Sequence, residues 1–170
     1  MRKISISTTT HLCNNPRLVK ELSSLFALSE YKIEVNYFIF DNKKTQYDKE
    51  IINGLRNIKF NPIIWYRKNP IRLFWGLISK ILNIIHQRLN ISLWQEQQIF
   101  PGYFELYPTL KNSDANIYHG HNLVALAAVV QVSRQKGKVA IFDAEDFHRG
   151  ETHSSNLINK LIIAIENKYI

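Results

Sequence analysis

Residues 3–40 read as strand, helix, strand, and that order constrains the whole chain. Lys3 to Ser7 alternates Ile4 and Ile6 with serines, a short β-branched pattern suited to a first strand. Thr8 to Asn15 is polar and turn-prone. Pro16 then suits a first helical position, with Asn15 or Asn14 as the N-cap. Leu18, Val19, Leu22, Leu25, Phe26 and Leu28 recur at helical spacing, which predicts an amphipathic helix through Leu28. Ile33 to Phe40 is a second strand with Ile33, Val35, Tyr37 and Ile39 on one face. Its other face is also mostly apolar, as in a strand buried on both sides. A strand–helix–strand unit of this length closes by a right-handed crossover, so the sheet is expected to be parallel.

Asn42 to Tyr47 reads as a polar loop, and Asp48 to Leu55 as a short helix ending near Gly54. Ile58 to Tyr66 is a third strand in which Pro62 favours an edge or a bulge. Ile71 to Leu89 is helical, and Ile91 to Leu110 is mixed, broken at Pro101-Gly102 and at Pro108. Asp114 to His119 is a fourth strand, Leu123 to Val132 an Ala/Val-rich helix, and Gly137 its stop. Lys138 to Phe142 is a fifth strand, and Asn156 to Tyr169 a last amphipathic helix. The expected class is α/β: one domain over 1–170, an open Rossmann-like parallel sheet with helices on both faces, three layers α/β/α. Residues 41–112 stand apart as a basic, aromatic, insertion-like segment.

Composition bounds the rest. An apolar fraction of 45% with 21% charged residues is that of an ordinary globular chain. The single Cys13 cannot make an internal disulfide, so nothing points to an oxidising compartment. Serines and threonines after Met1-Arg2-Lys3 interrupt any signal-peptide core, and no run is long enough to span a bilayer. A soluble, cytoplasmic chain is expected.

The net charge of +8 is unevenly placed. No acidic residue lies between Glu50 and Glu96, while Arg56, Lys59, Arg67, Lys68, Arg72, Lys80 and Arg88 all do, together with Trp65, Trp75 and Trp94. Such a segment attracts anionic partners: phospholipid surfaces, pyrophosphate-linked acceptors or nucleic acid. On the helix within it, Arg72, Ser79, Asn83, His86 and Gln87 share a polar face. Phe74, Leu77, Ile78, Ile81, Leu82, Ile84 and Ile85 spread over an apolar arc of roughly 200°, wider than one core contact needs. Two readings follow: a helix wedged between sheet and neighbouring helix, or an interfacial helix with Arg72 and Trp75 at headgroup level.

Chemistry concentrates at two strand ends, Ile117-Tyr118-His119-Gly120-His121-Asn122 and Phe142-Asp143-Ala144-Glu145-Asp146-Phe147-His148. In an extended chain His119 and His121 point to one side, as do Asp143 and Glu145. With the two strands adjacent, His119, His121, Asp143, Glu145, Asp146 and His148 gather in one crevice, a set suited to proton transfer, sugar-hydroxyl binding or metal binding. The loop after the first strand, with Thr9, Thr10, His11 and Asn15, borders it. That loop contains no glycine, which removes the dinucleotide and P-loop fingerprints. Arg17, unfavourable in the first turn of a helix, implies an acidic partner near the Asp143 end.

At these residues the chain resembles the N-terminal half of a family 4 glycosyltransferase of GT-B fold. The likeness lies in Ile4 to Ser7 followed by Asn15-Pro16-Arg17-Leu18-Val19-Lys20-Glu21, in Asp114 to Asn122 with its His-x-His-Asn ending, in Phe142 to His148, and in Ala164 to Tyr169. It implies retaining transfer of a sugar from a nucleotide-sugar donor to a glycan or lipid-linked acceptor, with no cofactor and no obligatory metal. It places His121 toward the donor sugar as the catalytic contact, with Asn122 beside it, and the basic face (Trp65, Arg67, Lys68, Arg72, Trp75) at the cytoplasmic side of a membrane. No nucleic-acid partner is expected. The nucleotide-binding C-terminal domain of that family is not in these residues, so this chain alone is expected to be inactive. The first loop lacks the Gly-Gly common there, and Glu145-Asp146 replaces the commoner His-Glu. Two other classes remain open: a metal-dependent hydrolase using His119, His121, Asp143 and His148, and a non-catalytic membrane-surface module.

Overall fold

A computed structural model describes residues 2–28, 30–89, 91, 93–144 and 157–170. The opening unit forms as expected: β1 (Arg2–Thr8), α1 (Pro16–Phe26) and β2 (Tyr31–Ile39). A short 3-10 turn at Leu12–Asn14 leads into α1, where the Asn15 side chain accepts from Leu18 N at 2.9 Å and Pro16 occupies the first turn. The chain continues through α2 (Asn42–Gly54), β3 (Lys59–Ile64), α3 (Pro70–Leu89), α4 (Gln95–Ile99), α5 (Tyr103–Asn112), β4 (Ile117–His121), α6 (Leu123–Lys136), β5 (Val139–Asp143) and α7 (Leu157–Tyr169).

The five strands form one all-parallel sheet in the order β3-β2-β1-β4-β5. It is a Rossmann-like α/β/α sandwich. One core holds Ile4, Ile6, Ile33, Val35, Tyr37 and Ile39 of the sheet against Leu18 and Leu22 of α1 and Ile51 and Ile52 of α2. On the opposite face Phe38 and Tyr118 pack against Leu106 and Leu110 of α5, the buried face of α6, and Ile162 and Ile165 of α7. The serines of β1 are explained on this second face. Ser5 and Ser7 are fully buried, and Asn36 Nδ2 donates to Ser5 Oγ at 3.0 Å, while Asn61 Nδ2 donates to Asn36 Oδ1 at 3.1 Å. A polar ladder thus crosses three strands with its groups paired.

Four expectations about elements change. The polar stretch 42–47 is helical, because Asp41 caps α2 through Lys43 N at 2.8 Å and starts the helix a turn and a half early. Strand β4 begins later and runs through Gly120 and His121, which pair with Ser7 and Thr8 of β1 and with Phe142 and Asp143 of β5. Helix α6 extends to Lys136 before Gly137, at φ 61°, ends it. Pro101-Gly102 does divide α4 from α5, but Pro108 lies inside α5 without breaking it. Pro62 sits, as expected, on the edge strand β3.

Helix α3 is built inside out. Its buried residues are Ser79, Leu82 and His86, two of them polar, with Trp75, Ile78 and Ile85 half-buried beside them. Ser79 Oγ donates to Gln97 O at 2.6 Å, Gln97 Nε2 donates to Trp75 O and Pro101 O, and His86 Nδ1 meets Gln98 Oε1 at 3.2 Å. Leu73, Phe74, Leu77, Ile81 and Ile84 face outward and are about half exposed or more. The wedged reading is therefore corrected: hydrogen bonds hold the polar stripe to α4 and leave Phe74, Leu77, Ile81 and Ile84 of the apolar arc uncovered. Among the described residues no helix is long and apolar enough to cross a membrane.

Candidate functional site

In an open parallel sheet, ligands bind outside the carboxyl ends of the strands where the strand order reverses. Here that point lies between β1 and β4, since the chain runs outward from β1 to β2 and β3 and then returns to β4 on the other side. His119 and His121 lie on one face of β4, as period two requires, with ring centroids 4.7 Å apart. They point toward α1. Gly120, between them, faces α6, and an added Cβ would lie 3.1–3.2 Å from the backbone of Ala125 and Leu126. Helix α6 can sit this close to the strand only over a glycine.

Glu21, from the second turn of α1, closes the cluster. Its Oε1 is 2.9 Å from His119 Nδ1 and its Oε2 is 2.9 Å from His121 Nε2. The other ring nitrogen of His121, Nδ1, is 3.4 Å from Asp143 Oδ2, and Asp143 Oδ1 accepts from Arg17 Nη1 at 3.1 Å. An ionised carboxylate only accepts, so the nitrogens facing Glu21 carry protons. Burial pushes the Glu21 carboxyl upward, but hydrogen bonds from His119 and His121 outweigh it and hold the group at about 2. Glu21 is thus a fixed anion with two imidazole donors. The His121 side chain is fully covered, His119 is 11% exposed, and Glu21 and Asp143 are about a quarter exposed. The cluster can hold and pass a proton between its rings and present a negative edge to a ligand.

Asn122 joins the first loop to this cluster. Its Oδ1 accepts from Thr8 Oγ1 at 3.0 Å, Thr9 N at 3.2 Å and Thr9 Oγ1 at 3.3 Å, and Thr10 Oγ1 lies 3.1 Å from Thr8 Oγ1. Its φ of 75° is in the left-handed region, rare for a residue with a side chain and held here by those three bonds. Asn15, the α1 cap, is almost fully buried and leaves Nδ2 without a hydrogen-bond partner among the described residues.

The structure moves several expected site residues elsewhere. His11 does not line the crevice. It is buried, with Nδ1 2.6 Å from Asp48 Oδ2, and its Nε2 accepts from Phe40 N at 2.9 Å and Asp41 N at 3.1 Å. Because Nε2 accepts, the proton sits on Nδ1 and is donated to Asp48. Asp48 Oδ1 in turn accepts from Cys13 N at 2.9 Å. These three residues have metal-ligand spacing, yet both nitrogens of His11 are committed, so they form a structural clamp. Trp65, expected on the surface, is 2% exposed and packs edge-on to Phe38. Trp75 is half-buried and donates Nε1 to Glu105 at 3.1 Å, and Arg72 Nη1 donates to Trp65 O at 2.9 Å. Arg67 and Lys68 are exposed as expected. Glu145, Asp146 and His148 lie outside the described residues.

Glu21 is the site residue that sequence reasoning passed over. Its signals were its place at the end of the Asn15 to Glu21 stretch and its position one turn beyond Arg17, where Arg17 and Glu21 at i, i+4 share the face that reaches β4 and β5. The chain matches no protein-family model and no curated protein.

Proposed function

We propose that the chain is the acceptor-side domain of a retaining, GT-B-type glycosyltransferase, moving a sugar from a nucleotide-sugar to a glycan or lipid-linked acceptor at the cytoplasmic face of a membrane. The observation that carries the reading is the buried His119–Glu21–His121–Asp143 cluster, tied to Arg17, at the switch point of the sheet. It joins two of the stretches on which the family resemblance rests, Asn15 to Glu21 and His119 to Asn122, in one contact network. On this reading Glu21 and Asp143 position His121 beneath the cleft, and Asn122 and the threonines form its rim. The outward apolar face of α3, beside Arg67, Lys68 and Lys80, supports work at an anionic surface. The test is ligand partition by the 170-residue chain. Saturable binding of an acceptor with no saturable binding of nucleotide-sugar, and no transfer, is the expected result. Robust transfer, or tight nucleotide-sugar binding, overturns it.

One observation favours a second reading, a divalent-metal site. Ligand atoms of Glu21, His119 and His121 all lie within 4.8 Å of one another, and Asp143 stands behind His121 as an outer carboxylate would. Stoichiometric zinc in purified protein, lost on His121→Ala, would establish that site. A zinc titration that leaves the His119 and His121 ring signals unmoved would exclude it.

A further inference from the structure

The geometry points to a binding site for a long-chain aliphatic phosphate or diphosphate in the cavity between α3, α4 and the segment after β3. The cavity has a volume of about 540 Å³. Its floor is aromatic: Phe40, Trp65 and Phe100 line it, and all three belong to or pack on the core. Its lining is cationic, with Arg67 from the β3–α3 connection and Arg72 and Lys80 from α3 itself. Arg72 is already oriented, by its bond to Trp65 O and by its place 5.8 Å above the Phe40 ring. Arginine and lysine over an apolar floor, in a segment with no acidic residue between Glu50 and Glu96, match a phosphate headgroup.

The other wall supplies the chain-binding half. Leu73 and Leu77 line the cavity and are also 61% and 59% exposed, so they continue without a break onto the outer apolar stripe of α3 with Phe74, Ile81 and Ile84. A headgroup held by the three cations would run its hydrocarbon along that stripe. Asn83, which also lines the cavity, leaves its buried Oδ1 without a partner among the described residues and can accept from a hydroxyl on the headgroup. Phe40 follows β2 and Trp65 follows β3, so the cavity opens at the carboxyl ends of those strands. That is the edge that carries His121, two to three strand spacings or on the order of 10–15 Å away, with Asp143 one strand further. The occupant that satisfies both halves is an amphiphile, a phosphate with a tail. A soluble glycan satisfies neither.

That this amphiphile is the sugar acceptor rests on the glycosyltransferase reading. The binding itself does not, so a titration and a transfer assay can fail separately. The probe is dodecyl phosphate below its micelle concentration, read by tryptophan fluorescence of the whole chain, against inorganic phosphate and dodecyl maltoside. Dodecyl phosphate should quench saturably and bind about tenfold or more tighter than either control. Arg67→Ala with Lys80→Ala, both at exposed positions, should weaken it by about tenfold or more. Leu77→Asp should abolish it with the circular dichroism spectrum unchanged. Equal affinity for dodecyl maltoside, equal affinity for inorganic phosphate, or an unaffected Arg67/Lys80 variant would each overturn the assignment. Vesicles separate the remaining source. Phosphatidylserine vesicles that displace dodecyl phosphate as effectively as phosphatidic acid vesicles of equal total charge would mean a bulk anionic surface and would also overturn it.

Discussion

Replacing Glu21 with glutamine tests the whole cluster, because one carboxylate accepts from and positions two rings. The carboxyl sits at about 2 in the folded protein against an ordinary 4.5, which corresponds to about 3 kcal/mol of preferential stabilisation of the charged form. The side chain is 27% exposed, and solvent at that edge trims the figure to about 2–3 kcal/mol. Because the folded value is depressed, the contribution is complete above the unfolded value and is lost as pH falls from about 4.5 toward about 2. Glu21→Gln should therefore be less stable than the parent by about 2–3 kcal/mol at pH 7. At pH 3 the gap should shrink to less than half, since the parent has begun to protonate in the unfolded state alone. Urea unfolding followed by tryptophan fluorescence at the two pH values measures both. A variant within about 0.5 kcal/mol of the parent at pH 7, or a gap as wide at pH 3 as at pH 7, would refute the assignment of Glu21 as an anion held by both histidines.

His11→Ala leaves the buried Asp48 carboxylate without its ring donor and should cost about 3–5 kcal/mol, and Asp48→Asn, which keeps an acceptor oxygen and leaves no unpaired charge, about 1–3 kcal/mol; both are read as a fall in melting temperature, while the His119 and His121 NMR signals stay where they are. Gly120→Ala presses a methyl against the backbone of Ala125 and Leu126, which cannot swing aside as a side chain could, and should lose about 1–3 kcal/mol in urea titrations. Phe74→Asp with Leu77→Asp removes two outward apolar groups; it should end sedimentation with anionic vesicles and shift stability by no more than about 0.5 kcal/mol.

What the sequence made legible was local or periodic. Pro16 with an Asn15 cap, Pro62 on an edge strand, and the common direction of His119 and His121 each follow from rules that act within a few residues. Arg17 is the instructive success: its cost at a helix N-terminus implied an acidic partner, and Asp143 is there at 3.1 Å. The missed partnerships needed tertiary pairing. Glu21 was assigned no role of its own, because its two imidazole partners lie on β4, about a hundred residues on. Asp48 read as the start of a short helix, whereas its partner His11 lies 37 positions earlier. Helix α3 misled in a different way. Its hydrophobic stripe was correctly located, but the usual assumption that such a stripe faces the core gave the wrong orientation, because Gln97 and Gln98 of α4 offer its polar stripe better partners.

The first loop connects these features mechanically. On one side Asn122 gathers Thr8 and Thr9 with three bonds and accepts a left-handed φ to do so. On the other side His11 is clamped between Asp48 and the amides of Phe40 and Asp41, at the start of the segment that forms the cavity floor. A glycine-free loop pinned at both flanks cannot act as a flexible cradle, and it holds the His121 cluster and the Phe40 side of the cavity at a fixed spacing along the carboxyl edge. On the proposed glycosyltransferase reading, a fixed spacing between the inferred cavity site and the His121 cluster would orient a bound group for reaction. It also explains why strain is tolerated at Asn122: relaxing its φ would release Thr8 and Thr9 and uncouple the two halves of the edge.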